Sequence, residues 1–162
     1  MLSIRYNSAK SIGINLSFRR TFFLFNYFGQ KIIYPPDVKN ITTENRLFPT
    51  YIESNNELHN HLLFKYPLIL NFTYPGDKNC NKLTKPLFDV LSDSKKYPSN
   101  SPAVGLVNIS CDTEGGRDIM STYAINKVPT LLLLQKQMPT DKFQPNLDTF
   151  KESDLIEWIK SI

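Results

Sequence analysis

Tyr123-Ala124-Ile125-Asn126-Lys127-Val128-Pro129-Thr130, running into Leu131-Leu132-Leu133-Leu134, decides how the chain is read. Four consecutive leucines predict a strand covered on both faces, because a strand with one wet face would alternate polar and apolar residues. Proline cannot donate to a sheet ladder, so at the head of such a strand it needs a special reason. An X-Pro bond in that position is where a cis peptide turns the chain and presents its backbone to a ligand.

Two further runs, Pro67–Phe72 and Ala103–Ile109, have the same character and predict buried strands. Between them, Tyr74-Pro75-Gly76-Asp77 predicts a turn, followed by a helix with Leu83, Leu87, Val90 and Leu91 along one stripe. Pro86 lies inside that helix and predicts a kink, since it removes an amide and crowds the carbonyl four residues earlier. A polar loop covers Ser92–Pro102. Gly115-Gly116 is expected to precede a short helix over 117–123, and Met138-Pro139-Thr140-Asp141 to turn the chain toward a brief edge strand near Phe143.

Ser54-Asn55-Asn56-Glu57 is a capping box, in which the serine side chain bonds the Glu57 amide and the carboxylate reaches back to the Ser54 amide. It predicts a helix to about Phe64 with Leu58, Leu62 and Leu63 facing inward. A last helix, about Glu152–Ile162, buries Leu155, Ile156 and Ile159 and carries its acids early and Lys160 late, as the helix dipole prefers. Tyr34-Pro35-Pro36 and Phe48-Pro49 interrupt 31–50, which is expected to be an irregular lead-in to a domain over 51–162.

Helix, strand, helix, strand, helix, strand, strand, helix is the order of an α/β domain whose first two strands are parallel and whose last two form a hairpin. Over residues 50–162 the chain resembles the thioredoxin fold. The resemblance rests on four blocks in order: Leu70-Asn71-Phe72, the helix bearing Pro86, the strand end Val107-Asn108-Ile109-Ser110-Cys111-Asp112, and Val128-Pro129-Thr130. It implies a central mixed sheet of about four strands flanked by helices, with a cis-proline before the third strand. Small insertions before Pro86 and around Gly115-Gly116 depart from it.

Where that family places Cys-x-x-Cys, this chain reads Gly76-Asp77-Lys78-Asn79-Cys80-Asn81. Aligned from its strand, Cys80 falls on the family's second, buried cysteine; aligned back from Pro86, it lies one residue before it. Either way the attacking position holds Asp77 or Lys78. Asn71 stands where the family has a buried acid, and an amide cannot take up a proton. The tryptophan that flanks the first cysteine is replaced by Gly76 or Asp77. Exchange by a dithiol needs an accessible thiolate and a second cysteine within reach, so the resemblance implies a degenerate site.

Cys80 still lies near a helix N-terminus, with Lys78 and Lys82 close in sequence, which is an arrangement that can activate a single thiol. The competing reading makes it a small buried apolar residue. Cys111 is the candidate redox partner, and a disulfide between the two needs their α-carbons within about 7 Å. In the family, the residue before the cis-proline offers its amide and carbonyl to an extended peptide. Val128, Pro129 and Thr130, with Asp77 and Lys78 on the rim, are therefore the candidate binding residues. Asn71-Phe72-Thr73 and Asn108-Ile109-Ser110 match the glycosylation pattern, but both begin inside predicted buried strands.

The chain has 162 residues, enough for one domain with a real core, and a net charge of +4. That charge is local. Arg5, Lys10, Arg19, Arg20 and Lys31 all precede the first acid, Asp37, leaving fourteen basic residues against fifteen acidic ones from there on. A nearly neutral body removes the electrostatic case for a nucleic-acid partner. Residues 1–30 are acid-free, bear Arg and Ser, and space Leu2, Ile4, Ile12, Ile14, Leu16 and Phe18 amphipathically, which predicts a mitochondrial presequence processed near Arg20, with a degenerate secretory signal as the rival. The apolar run Phe22–Phe28 is much shorter than the ~20 residues of a membrane helix, so no transmembrane segment is expected. If it is retained, that run could touch a membrane surface peripherally.

Two cysteines are too few for a disulfide scaffold or a Cys₄ zinc site, and His59 and His61, two apart, cannot chelate one ion from a helix; no metal is expected. Two classes of function follow. One is a mitochondrial matrix binding or assembly module for a protein or peptide client, with no cofactor. The other is a thiol-dependent oxidoreductase acting through Cys80, with glutathione or Cys111 resolving it.

Overall fold

A computed structural model describes residues 31–162. The expected presequence and the run Phe22–Phe28 lie outside those residues. Five strands form one sheet in the order β1-β3-β2-β4-β5, where β1 is Arg46–Ile52, β2 Leu68–Thr73, β3 Gly105–Ser110, β4 Thr130–Gln135 and β5 Met138–Phe143. Strands β1, β3 and β2 run parallel, and β4 is antiparallel to β2 and β5.

Helices α1 (Asn55–Leu62) and α3 (Glu114–Thr122) cover one face, and α2 (Lys78–Ser92) and α4 (Glu152–Lys160) cover the other. Strand residues alternate between the two layers. Leu70, Phe72, Val107, Ile109, Leu132 and Leu134 pack with Leu58 of α1 and Ile119 of α3, while Ile69, Leu106, Leu131 and Leu133 pack with Leu83 and Leu87 of α2 and Leu155 and Ile159 of α4. Each such buried side chain contributes about 1.5–3 kcal/mol relative to exposure, which is why both faces must be apolar and why these strands read as unbroken runs.

The expected lead-in across 31–50 is corrected by β1, whose first residues fall inside it, so the sheet has five strands and the proline precedes the fourth. β1 is an edge strand, paired only with β3, and its register shifts between Leu47 and Tyr51. An edge strand tolerates Pro49 because one side of its ladder needs no donors.

Helix α1 is capped by Ser54, whose hydroxyl accepts from the Glu57 amide at 3.4 Å. The Glu57 carboxylate accepts from the Glu53 amide instead of that of Ser54, and Leu63, expected inside, lies past the helix end and is 72% exposed. Helix α3 begins three residues before its expected start and takes both glycines into its first turn, because the backbone packs closely there. A Cβ on Gly116 would overlap the Ser110 carbonyl, and one on Gly115 that of Glu53. Lys136 and Gln137, at φ 50° and 68°, make the β4–β5 turn, so Met138–Asp141, expected to be the turn, is already strand. Two successive positive φ values match the right-handed twist of a hairpin.

The single tryptophan of the chain, Trp158, stacks on Phe143 and donates its indole N–H to Asp141 at 2.7 Å, fastening α4 to the edge strand. Among the described residues, no helix is long and apolar enough to cross a membrane.

Candidate functional site

Three segments meet at the C-terminal end of β2. Phe72 pairs with Thr130, which sets Pro129 across from Thr73. The Val128–Pro129 bond is cis, Pro129 is buried, and Val128 is half-buried ahead of the first rung of β4. From the other side, the Cys111 amide donates to the Thr73 carbonyl at 2.9 Å, bringing the end of β3 to the same point. The Tyr74 amide donates to Cys80 Sγ at 3.5 Å, which ties the start of α2 there as well.

The loop between β2 and α2 is a tight turn. The Asp77 amide donates to the Tyr74 carbonyl at 3.0 Å, and Gly76 has φ 82°. Pro second and a positive-φ Gly third is the arrangement of a type II turn. Asp77 then becomes the N-cap of α2, its carboxylate accepting from the Cys80 amide at 2.8 Å. That bond holds the Asp77 carboxyl below its usual range. It also fills the helix terminus with protein charge, so the dipole that could stabilise a thiolate is already answered.

Cys80 is 1% exposed. Burial pushes its thiol up, opposed by the Tyr74 N–H, and the neighbouring Asp77 charge adds to the rise. Cys111 is equally buried, and burial pushes its thiol up to about 12; its S–H donates to the Ile109 carbonyl at 3.6 Å. Both cysteines are free. Lys78 is exposed on the first turn of α2, and Thr130 is buried, its hydroxyl donating to the Lys127 carbonyl at 2.6 Å while accepting from Gln144. The structure thus brings Cys80, Cys111, Val128, Pro129, Thr130 and Asp77 around one end of the sheet.

Sequence reading missed three contributors. Thr84, on α2, accepts from Asn71 Nδ2 at 3.2 Å, and Asn108 Oδ1 accepts from the same amide at 2.9 Å. All three are buried, and Asn71 Oδ1 and Asn108 Nδ2 are left without partners. Asn71 and Asn108 stand directly opposite in the β2–β3 register. Knowing that register, their equal places in two buried strands would have paired them. Tyr51, in the strand that sequence did not predict, is the third. Its hydroxyl donates to the Ile33 carbonyl at 2.6 Å, and burial pushes it up to about 12.

No protein-family model matches the sequence, and no curated protein matches it. Solved structures do match. The chain is similar to thioredoxin O2 from Arabidopsis thaliana, with 15% identity and TM-score 0.55, over 74% of this chain and 96% of that one. Mitochondrial thioredoxin 3 from Saccharomyces cerevisiae matches with 18% identity and TM-score 0.53, over 70% and 94%. A thioredoxin from Halobacterium salinarum matches with 17% identity and TM-score 0.54, over 74% and 94%. These likenesses establish the fold. The chain has the thioredoxin fold.

Proposed function

We propose that the protein is a client-binding or assembly module in which the rim around Val128 receives an extended peptide and the dithiol chemistry of the fold has been lost. What supports this is the meeting of β2, β3, α2 and the Val128–Pro129 segment at Thr73 and Tyr74, with Val128 ahead of the β4 ladder. A peptide laid along that segment would pair with backbone groups and gain affinity without any thiol. The acid-free leader supports a mitochondrial, matrix location.

A test is binding of an array of synthetic extended peptides to the full chain and to Val128→Pro, which deletes the amide in question. Loss of about tenfold or more in affinity by the variant, with an unchanged circular dichroism spectrum, is the expected result. Equal binding by both proteins overturns the reading.

The other reading, a thiol oxidoreductase using Cys80 and glutathione, has the Tyr74 N–H at Sγ in its favour. Burial of that sulfur and the capping carboxylate of Asp77 weigh against it. Alkylation of Cys80 against pH separates them. The expected result is slow reaction with a midpoint above the ~8.5 of a free thiol; a midpoint well below that value moves the oxidoreductase reading ahead.

A further inference from the structure

The loop that carries Val128 runs from the end of α3 to the head of β4, and side chains from the outer strand hold it at both ends. At its start, Lys142 Nζ donates to the Tyr123 carbonyl at 3.3 Å and to the Ala124 carbonyl at 3.1 Å. At its end, Gln144 Nε2 donates to Thr130 Oγ1 at 3.0 Å, and that hydroxyl in turn donates to the Lys127 carbonyl at 2.6 Å.

The β4–β5 register explains how two residues reach both places. Leu132 pairs with Lys142 and Leu131 with Phe143, so one further step sets Gln144 across from Thr130. Lys142 and Gln144, two apart, lie on the same face of the sheet, the face that α3 covers. Both side chains are exposed, so neither contact follows from burying apolar surface. An amine at the last carbonyls of a helix suits the helix dipole. Lys142 reaches further than that, since Ala124 lies past α3 with φ 50°.

The Thr130 hydroxyl occupies the Lys127 carbonyl, whereas among the described residues Val128 keeps its amide and carbonyl without a partner. A residue that is to form one rung with an extended peptide needs both groups free and their direction fixed beforehand. We infer that Lys142 and Gln144 are positioning residues for the rim: together they form a brace from the outer strand that fixes 124–129, so that Val128 meets a client in one orientation. The use of the brace rests on the client-binding reading above, but the brace itself is read on the free protein, so the two can fail separately.

The experiment is nitrogen relaxation by nuclear magnetic resonance on the full chain at neutral pH, giving an order parameter for each backbone amide. Lys142→Met keeps the aliphatic stem and removes the amine. Gln144→Glu keeps the size and replaces the donor by an acceptor, which Thr130 Oγ1 cannot answer while its proton is directed at Lys127. Lys127 and Val128 are expected at about 0.85 in the wild type and below about 0.6 in the double variant, with β2 and β3 unchanged. Lys142→Arg keeps a charged donor and is expected to hold the wild-type values. Retained order at 127 and 128 in the double variant overturns the brace. So does a wild type already loose there, an equal loss in Lys142→Arg, or a loss shared by β2 and β3.

Discussion

At the scale of single residues, Asn71 is the most consequential for chemistry. Its amide lies fully buried between Thr84 and Asn108, so it can bridge two neighbours but cannot exchange a proton. Asn71→Asp would bury a carboxyl at this place, and desolvation would raise its pKa in the folded state above the ~3.9 of the unfolded chain. The folded state would then bind more protons, and stability would fall as pH rises from that value. Denaturant titrations of the variant are expected to match the wild type near pH 3 and to lose about 2–4 kcal/mol by neutral pH. A pH-independent loss would place the new carboxyl in water. The identities of Asn71, Cys80 and Cys111 were legible in the sequence, because an amide that carries no proton and a count of two cysteines are read directly from it. The burial of Cys80 and the use of the helix terminus by Asp77 were not, because both depend on how the loop folds back at Gly76.

Elements separate into those fixed by periodicity and those fixed by contact. β2, β3, β4, α2 and α4 were readable because their apolar spacing reports burial directly. β1 was not, since an edge strand with a proline and a register shift carries no clean alternation. The start of α3 escaped for another reason: its glycines look like breakers in sequence, whereas the Ser110 and Glu53 carbonyls require them inside the helix. Gly116→Ala is accordingly expected to cost about 3 kcal/mol or more in urea titration, since the new methyl meets backbone that cannot yield. Ala124, at φ 50° just past α3, is the converse case. Ala124→Gly is expected to gain about 0.5–1 kcal/mol by removing a Cβ from the left-handed region. Replacing Lys136-Gln137 by Asn-Gly in the β4–β5 turn should act in the same direction, read as a rise in melting temperature.

For the whole molecule, the two helical layers bury their apolar sheet faces, and the polar work is concentrated at one end, where β2, β3, α2 and the Val128–Pro129 segment converge. That separation lets the fold stand without a disulfide, with Cys80 and Cys111 both free, buried thiols. With one sheet shared by both core layers and both cysteines free, unfolding of the described residues should be a single cooperative transition, checked by coincidence of the far-ultraviolet and intrinsic-fluorescence curves. The emitter in that experiment is already built in. Because Trp158 is the chain's sole indole, stacked on Phe143 and hydrogen-bonded through its N–H to the Asp141 carboxylate, its spectrum reports one event, the seating of the last helix on the outer hairpin. A shift of its emission to longer wavelength before any loss of ellipticity would reveal that helix peeling away first, from the side of the sheet farthest from the edge strand that the sequence concealed.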